Sequence, residues 1–292
     1  MKSGVILRGI GGFYDVLSGG EVFRCRARGR FRRLGISPMV GDRVRFQPET
    51  EISEGIMEEI LPRRNAMKRP AVSNVDHLAV VLAAVDPKPD LFLVDKLLIT
   101  AERTQISPLL VFNKTDLAGS EEEMAFRAEY DRTGYPIHSI SGKFNIGMGE
   151  LSQALQGITV LAGQSGVGKS SIINKLRPDA HLETGVLSEK IKRGKNTTRR
   201  VELISLPGGG MIADTPGFSR MDLLELDPAH LAGYYPEFRA CRTECQFQGC
   251  LHMAEPGCAI RRGVEEGKIP SGRYGRYRKL IEEIRENRRD TW

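Results

Sequence analysis

A chain of 292 residues, 40% of them hydrophobic, has room for two or three small domains with ordinary cores. Lys and Arg outnumber Asp and Glu by 43 to 37, so the placement of the basic residues matters more than their sum. No apolar run reaches the length of a membrane-spanning helix and Met1 to Ile10 lacks a signal-peptide layout, which makes a cytoplasmic location the expectation.

Residues 1 to about 68 read as short strands broken by glycine: Gly4 to Ile10, Phe13 to Leu17, Glu21 to Phe31, Arg43 to Gln47 and Gly55 to Leu61. Such a meander predicts a small closed barrel of the OB type. If Glu21 to Phe31 is one strand, Arg24, Arg26, Arg28, Arg30 and Arg32 line one face, while Phe23, Cys25, Ala27 and Phe31 turn to the core. A row of like charges favours phosphate neutralisation, so nucleic-acid contact is expected over a merely solvated edge. Arg63, Arg64, Lys68 and Arg69 extend the basic character toward the next domain.

From about 69 to 223 the pattern changes to buried strands alternating with helical stretches. Val75 to Val85 is a strand candidate, followed by a helical pattern from Leu91 to Thr104. Pro108 to Phe112 is a second strand, ending in Asn113-Lys114-Thr115-Asp116. The Asp116 carboxylate can accept from the ring N1–H and exocyclic amine of guanine together, a donor pair that adenine lacks. Asn113 would bond the other edge of the base and the Lys114 stem lie on its face. As a bland alternative, Asp116 caps a helix through Glu121 to Tyr130. Tyr135 to Ile140 leads to Ser141-Gly142-Lys143, which looks like the serine loop whose backbone amides meet guanine O6 in GTPases.

Ile158 to Ala162 then feeds Gly163-Gln164-Ser165-Gly166-Val167-Gly168-Lys169-Ser170-Ser171, and a helical pattern with Ile172, Ile173 and Leu176 follows. Strand, glycine-rich turn and helix are the context of a phosphate-binding loop. Backbone amides and the helix N-terminus face the phosphates, Lys169 adds a point charge, and Ser170 is placed to hold Mg²⁺. Downstream, Gly194 to Thr198 precedes a strand at Val201 to Leu206, and Thr197 and Thr198 can bond the γ-phosphate and Mg²⁺. A last strand, Gly210 to Ala213, ends in Asp214-Thr215-Pro216-Gly217: Asp214 supports Mg²⁺ and the Gly217 amide meets the γ-phosphate.

Residues 224 to 292 carry Cys241, Cys245, Cys250, His252 and Cys258, five possible ligands for a four-coordinate zinc. Beyond them Tyr274, Tyr277, Ile281 and Ile284 recur at helical spacing, flanked by Arg273, Arg276, Arg278, Lys279, Arg285, Arg288 and Arg289. The stripe reads as packing, and the basic flank is an open candidate for RNA contact, diluted by Glu282, Glu283 and Glu286.

The base-recognition pair, Asn113 to Asp116 and Ser141 to Lys143, precedes the phosphate loop at 163, the order of a circularly permuted GTPase. Permuted order, N-terminal barrel and C-terminal Cys/His cluster together resemble the ribosome small subunit-dependent GTPase A family across nearly the whole chain. The resemblance implies an α/β P-loop GTPase domain (69–223) with a mainly parallel sheet. An OB-type barrel (1–68) and a small α-helical zinc-binding domain (224–292) flank it. It selects Cys245, Cys250, His252 and Cys258 as the ligands of one structural zinc, leaving Cys241 as a spare thiol or an alternative. It implies GTP, GDP and Mg²⁺ as ligands, the latter through Ser170, Thr198 and Asp214, and the small ribosomal subunit with its rRNA as partner of a monomer. It further implies late action in subunit maturation, hydrolysis stimulated by the subunit, and binding and release governed by nucleotide.

Two positions depart from the expected pattern. Phe218 stands where many GTPases carry a water-orienting glutamine, and Asn196 where this family commonly has histidine. Asparagine can orient a water but cannot exchange a proton near neutral pH, so Lys169, Asn196 and Thr198 form the expected catalytic set with slow intrinsic turnover. A reading from another class, an RNA-binding assembly factor with nucleotide as a structural ligand only, is separated from this one by phosphate release.

Overall fold

The computed structural model describes residues 1–49, 54–178, 201–214 and 226–289. β1 (Lys2–Ile10), β2 (Phe13–Ser18), β3 (Glu21–Ala27), helix α1 (Gly29–Arg33), β4 (Arg43–Gln47) and β5 (Gly55–Ile60) build a closed barrel in the order β1-β2-β3-β5-β4. Alternation along the strands sends Ile6, Val16, Cys25, Val44, Phe46 and Met57 inward. The third strand is shorter than expected. It ends at Ala27 once Cys25 to Ala27 have paired in parallel with β5, and the chain turns into α1 to bring Phe31 over the barrel's apolar core. The arginines from 24 to 32 therefore do not form one row.

A two-residue ribbon, β6 (Ala66–Met67) with β7 (Val72–Ser73), joins barrel to sheet. Two of its basic neighbours are spoken for. Arg63 grips the fully buried Asp42 through two bonds of 2.7 and 2.8 Å, and Arg64 reaches Asp76 at 2.7 Å. Arg63 thus ties the linker back to the barrel and Arg64 ties it to the start of the sheet, rather than extending a basic surface.

β8 (His77–Ala83), α2 (Leu91–Arg103), β9 (Ser107–Asn113), α3 (Ser120–Tyr130), β10 (Ile137–Ser139), α4 (Met148–Ala154), β11 (Ile158–Ala162), α5 (Lys169–Leu176), β12 (Glu202–Ser205) and β13 (Met211–Asp214) follow. The sheet order is β10-β9-β8-β11-β13-β12, parallel except for the edge strand β12. Both faces are covered: Leu78, Val80 and Leu82 of β8 enter one core, and Ala79, Val81 and Ala83 enter the other. α2 and α3 pack on the first face, α4 and α5 on the second. A parallel sheet puts all its carboxyl ends on one edge, so the loops after β9, β10, β11 and β13 emerge together whatever their order in the chain.

The C-terminal part contributes α6 (Pro228–Leu231), α7 (Pro236–Arg239), α8 (Ala259–Glu265) and α9 (Ser271–Arg289). Tyr235, Phe238, Ile260, Tyr277, Leu280, Ile281 and Ile284 form its core, which Ile99 of α2 enters from the sheet domain. Arg273 and Arg276 are not open to RNA. Arg273, 1% exposed, donates to Asp95 at 2.6 Å and Glu237 at 2.7 Å, and Arg276 to Asp95 at 2.6 Å and Glu129 at 2.9 Å. Burial alone would lower the pKa of the Arg273 guanidinium, but Asp95 and Glu237 hold it well above the ordinary value. Among the described residues no helix is long and apolar enough to cross a membrane.

Candidate functional site

At the carboxyl edge of the sheet lies a cleft of about 720 Å³, within the range of about 300–1,000 Å³ usual for small-molecule sites. One wall is Asn113, Lys114, Asp116 and Leu117; Gly142 and Lys143 add a second; Gly168, Ser171, Asn174, Lys175 and Pro178 make the third. The base-recognition segments and the start of the phosphate-loop helix thus face one space.

Asn113 ties the three loops. Its buried amide donates from Nδ2 to Val167 O at 2.8 Å, and its Oδ1 accepts from Gly142 N at 3.1 Å. Ser141 N donates to Ile146 O at 3.1 Å. The Asn113 amide and the Ser141 and Gly142 backbone amides therefore have protein partners. The three positions act as a joint that fixes the distance between base end and phosphate end.

Asp116 is not the cap of α3, which Gly119 supplies. It sits in a short 3-10 turn, exposed, and its Oδ1 accepts from the Ser141 hydroxyl at 2.5 Å. Ser141 Oγ in turn accepts from Phe144 N at 3.2 Å, so the hydroxyl orients the carboxylate and the serine loop together. Lys114 takes a left-handed backbone, φ 63°, and its ammonium donates to Asp86 O, laying its stem along the cleft wall.

In the phosphate loop two glycines are required by space. A Cβ at Gly163, φ 141°, would stand 2.0 Å from Val81 O, and one at Gly168, φ 98°, 2.4 Å from Asn113 Nδ2. Lys169 opens α5 and folds over the loop, donating to Gly163 O at 2.8 Å and Gln164 O at 2.6 Å. Burial pushes its pKa down to about 8. A desolvated ammonium held by neutral carbonyls is the chemistry an anion would complete, so the loop fits phosphate. Val167 packs into the core beneath, while Ser165 and Gly166 are exposed on the loop crest. Ser170 follows in the first turn of α5, where a hydroxyl suits Mg²⁺.

Asp214 ends β13 with its backbone paired to Glu202. Asn196, Thr197, Thr198, Gly217 and Phe218 lie outside the described residues. Sequence reasoning missed Asn174, Lys175 and Pro178. Asn174 and Lys175 follow Ser171 by three and four residues on one face of α5, which was the available signal, and Pro178 lies just past the helix end.

The second site is in the C-terminal part. The ligand atoms of Cys245, Cys250, His252 and Cys258 all lie within 4.8 Å of one another. His252 Nδ1 stands 3.6 Å from Cys245 Sγ and 3.4 Å from Cys258 Sγ. Zn–S bonds of about 2.3 Å and Zn–N bonds of about 2.0 Å put the S···N edge of a tetrahedron at about 3.5 Å, so the set fits zinc. Ala259 N donates to Cys245 Sγ at 3.4 Å, and α9 holds the His252 loop by Tyr274 Oη to His252 O at 2.7 Å and Tyr277 Oη to Leu251 O at 2.8 Å. Cys241 is not in this group; its sulfur lies beside Gly263 of α8.

On the barrel, the guanidinium carbons of Arg24 and Arg26 stand 4.7 and 4.5 Å from the centroid of the Phe13 ring. Arg26 also pairs with Glu54 at 2.5 Å, and Arg28 with Glu58 at 2.5 Å.

Comparison with known proteins agrees with this geometry. The family model described as RsgA GTPase matches residues 60–224, and that of the RsgA N-terminal domain matches residues 3–57. A protein of Geobacillus sp. (strain WCH70) named "Small ribosomal subunit biogenesis GTPase RsgA" is 45% identical over 292 residues, 99% of either chain. One of the same name from Carboxydothermus hydrogenoformans is 45% identical over 290 residues, again 99% of either chain. The crystal structure of YjeQ from Thermotoga maritima superposes with a TM-score of 0.84 at 32% identity, covering 97% of this chain and 98% of that one. The structure of YloQ, described as a circularly permuted GTPase, gives 0.82 at 35% identity, covering 98% and 96%. With Asn113 to Asp116 and Ser141 to Lys143 written before the glycine-rich loop at 163, and a barrel and a Cys/His module on either side, this chain belongs to the RsgA GTPase family and is a GTP hydrolase.

Proposed function

We propose that this GTPase binds the small ribosomal subunit and acts late in its maturation, holding the subunit with GTP bound and leaving after hydrolysis. The observation that carries the reading is the single cleft onto which Asp116, Lys114 and the start of α5 converge. Guanine is read by Asp116, whose carboxylate would remain an unpaired charged acceptor with adenine. Lys114 and Lys143 flank the base, and the loop from Gly163 to Ser171 holds the phosphates through backbone amides. Lys169 exchanges its carbonyl partners for phosphate oxygens and stabilises charge that builds during hydrolysis. Ser170 would hold a Mg²⁺ ion, which would supply further positive charge to the phosphates. Asp214 is assigned to the metal's outer partners; Thr197, Thr198 and Gly217 to the γ-phosphate; Asn196 to the attacking water.

The relatives' printed names point to the small ribosomal subunit. Arg24 and Arg26 around Phe13 supply the chemistry for an RNA partner on the barrel, cations for phosphates beside an aromatic ring for a base. A monomer in the cytoplasm suits this role. The test is phosphate release from GTP with and without purified small subunits: slow turnover alone and strong stimulation by the subunit are expected. Equal rates in both conditions, or equal subunit affinity with GTP and GDP, would remove the reading.

A further inference from the structure

α2 touches both sites. At its N-terminal end, Asp90 caps the helix by accepting from Phe92 N at 3.1 Å and Leu93 N at 3.0 Å, while Asp90 N donates to Gln164 Oε1 of the phosphate loop at 3.2 Å. Gln164 is also the residue whose carbonyl accepts from Lys169 at 2.6 Å. Across the helix, Tyr130 Oη donates to Asp95 Oδ1 at 2.7 Å and stands 3.3 Å from Leu91 O. Asp95, fully buried, accepts from Arg273 and Arg276 of α9. The same turns of α9 carry Tyr274 and Tyr277, which hold the backbone carbonyls of His252 and Leu251 in the metal cluster. Lys96 with Glu283 at 2.6 Å adds a second tie between α2 and α9, and Ile99 inserts in the C-terminal core.

We propose that α2 links the phosphate loop thermodynamically to the Cys3His cluster, so that nucleotide at Lys169 tightens the hold on zinc and zinc tightens the hold on nucleotide. The inference rests on the nucleotide and zinc assignments above and adds a coupling between them. Gln164 is the positioning residue at one end, and Asp95 with Tyr130 at the other. The physical basis is a chain of hydrogen bonds, surface-exposed at Asp90–Gln164 and buried from Asp95 to Arg273: a phosphate that recruits Lys169 changes what Gln164 must satisfy, and Asp90 N is the next donor in line. Past the first turn of α2 the joints lie in a close-packed interior, which transmits such shifts. The coupling is reciprocal, as binding linkage requires.

The test measures how zinc partitions at equilibrium between the full-length protein and a competing chelating dye. The zinc affinity is read with no nucleotide, with saturating GDP and with a saturating non-hydrolysable GTP analogue, and occupancy is read separately with a fluorescent guanine nucleotide. Affinity is expected to rise by about fivefold or more when nucleotide is bound, the lower range of measured allosteric couplings. Gln164→Ala, assayed at nucleotide saturating for that variant, should bring the factor close to one while keeping the wild-type zinc affinity without nucleotide. Tyr130→Phe, which deletes a hydroxyl beside Asp95 and leaves Asp95 on Arg273 and Arg276, should lower the factor only in part. Lys88→Ala, exposed on the loop before α2, should leave the factor unchanged. A wild-type zinc affinity that ignores bound nucleotide overturns the proposal and leaves the GTPase reading standing; absence of guanine nucleotide binding would instead strike that reading. A nucleotide effect that survives undiminished in Gln164→Ala also overturns it.

Discussion

Two arginine-rich stretches carry the same sign of charge and meet opposite fates. On the barrel, Arg24 and Arg26 remain at the surface beside Phe13. On α9, Arg273 and Arg276 are drawn inward by Asp95, Glu129 and Glu237, acids from α2, α3 and α7 far away in sequence. The difference teaches that a run of basic residues announces a surface only when no distant acid claims it. Glu54, which pairs with Arg26, is exposed, so water screens that pair and Arg24 and Arg26 keep capacity for another partner. Around α9 Asp95 and Glu237 are buried, and each charge is held because losing its partner would strand the other.

The largest break of this contrast comes from the metal. Chelation should unfold the segment from about 241 to 258 and free α9 from the His252 loop, since metal affinity here is folding free energy. Loss of helical circular dichroism on zinc removal, with one zinc recovered per chain, is the expected result. Arg273→Met comes next: it leaves Asp95 and Glu237 buried without their cation and should cost about 3–5 kcal/mol in denaturant unfolding. The paired substitution Arg24→Ala with Arg26→Ala should cost no more than about 1 kcal/mol of stability. It should instead lower RNA affinity at all sequences and reduce the salt slope by about two. If the barrel pair proved the more destabilising, the contrast would be reversed.

The smallest effect concerns pH. Lys169, at about 8, is protonated in the free protein below that value and neutral above it, while bound phosphate favours the ammonium. Nucleotide affinity should therefore be flat below pH 8 and fall as pH rises through it, with proton uptake on binding visible by calorimetry in buffers of different ionisation enthalpy. Lys169→Arg, which cannot lose its proton in this range, should flatten the profile.

Much of the fold was legible because its signals are local. A strand, a glycine-rich turn and a helix stand side by side at 158–176, and the ligand spacing at 245–258 is complete within one short segment. The order of the nucleotide motifs gave the permutation, since a parallel sheet gathers its carboxyl ends regardless of connection. What could not be read depends on partners remote in sequence. The end of β3 at Ala27 follows from parallel pairing with β5 and from the place Phe31 takes in the barrel core. Asn113 ties its amide to Val167 and Gly142, 54 and 29 residues away. Arg63 reads as surface charge until Asp42 is placed beneath it.

The account stands on one cleft holding both ends of a guanine nucleotide, and base exchange at Asp116 tests it most directly. Asp116→Asn replaces an acceptor carboxylate with an amide that can donate to the extra carbonyl of xanthine. Equilibrium binding of GTP and xanthosine triphosphate to wild type and variant should show the preference inverting, with Lys169→Ala weakening both nucleotides alike. A variant that keeps the wild-type preference for GTP would mean that Asp116 does not read the base, and would contradict the account.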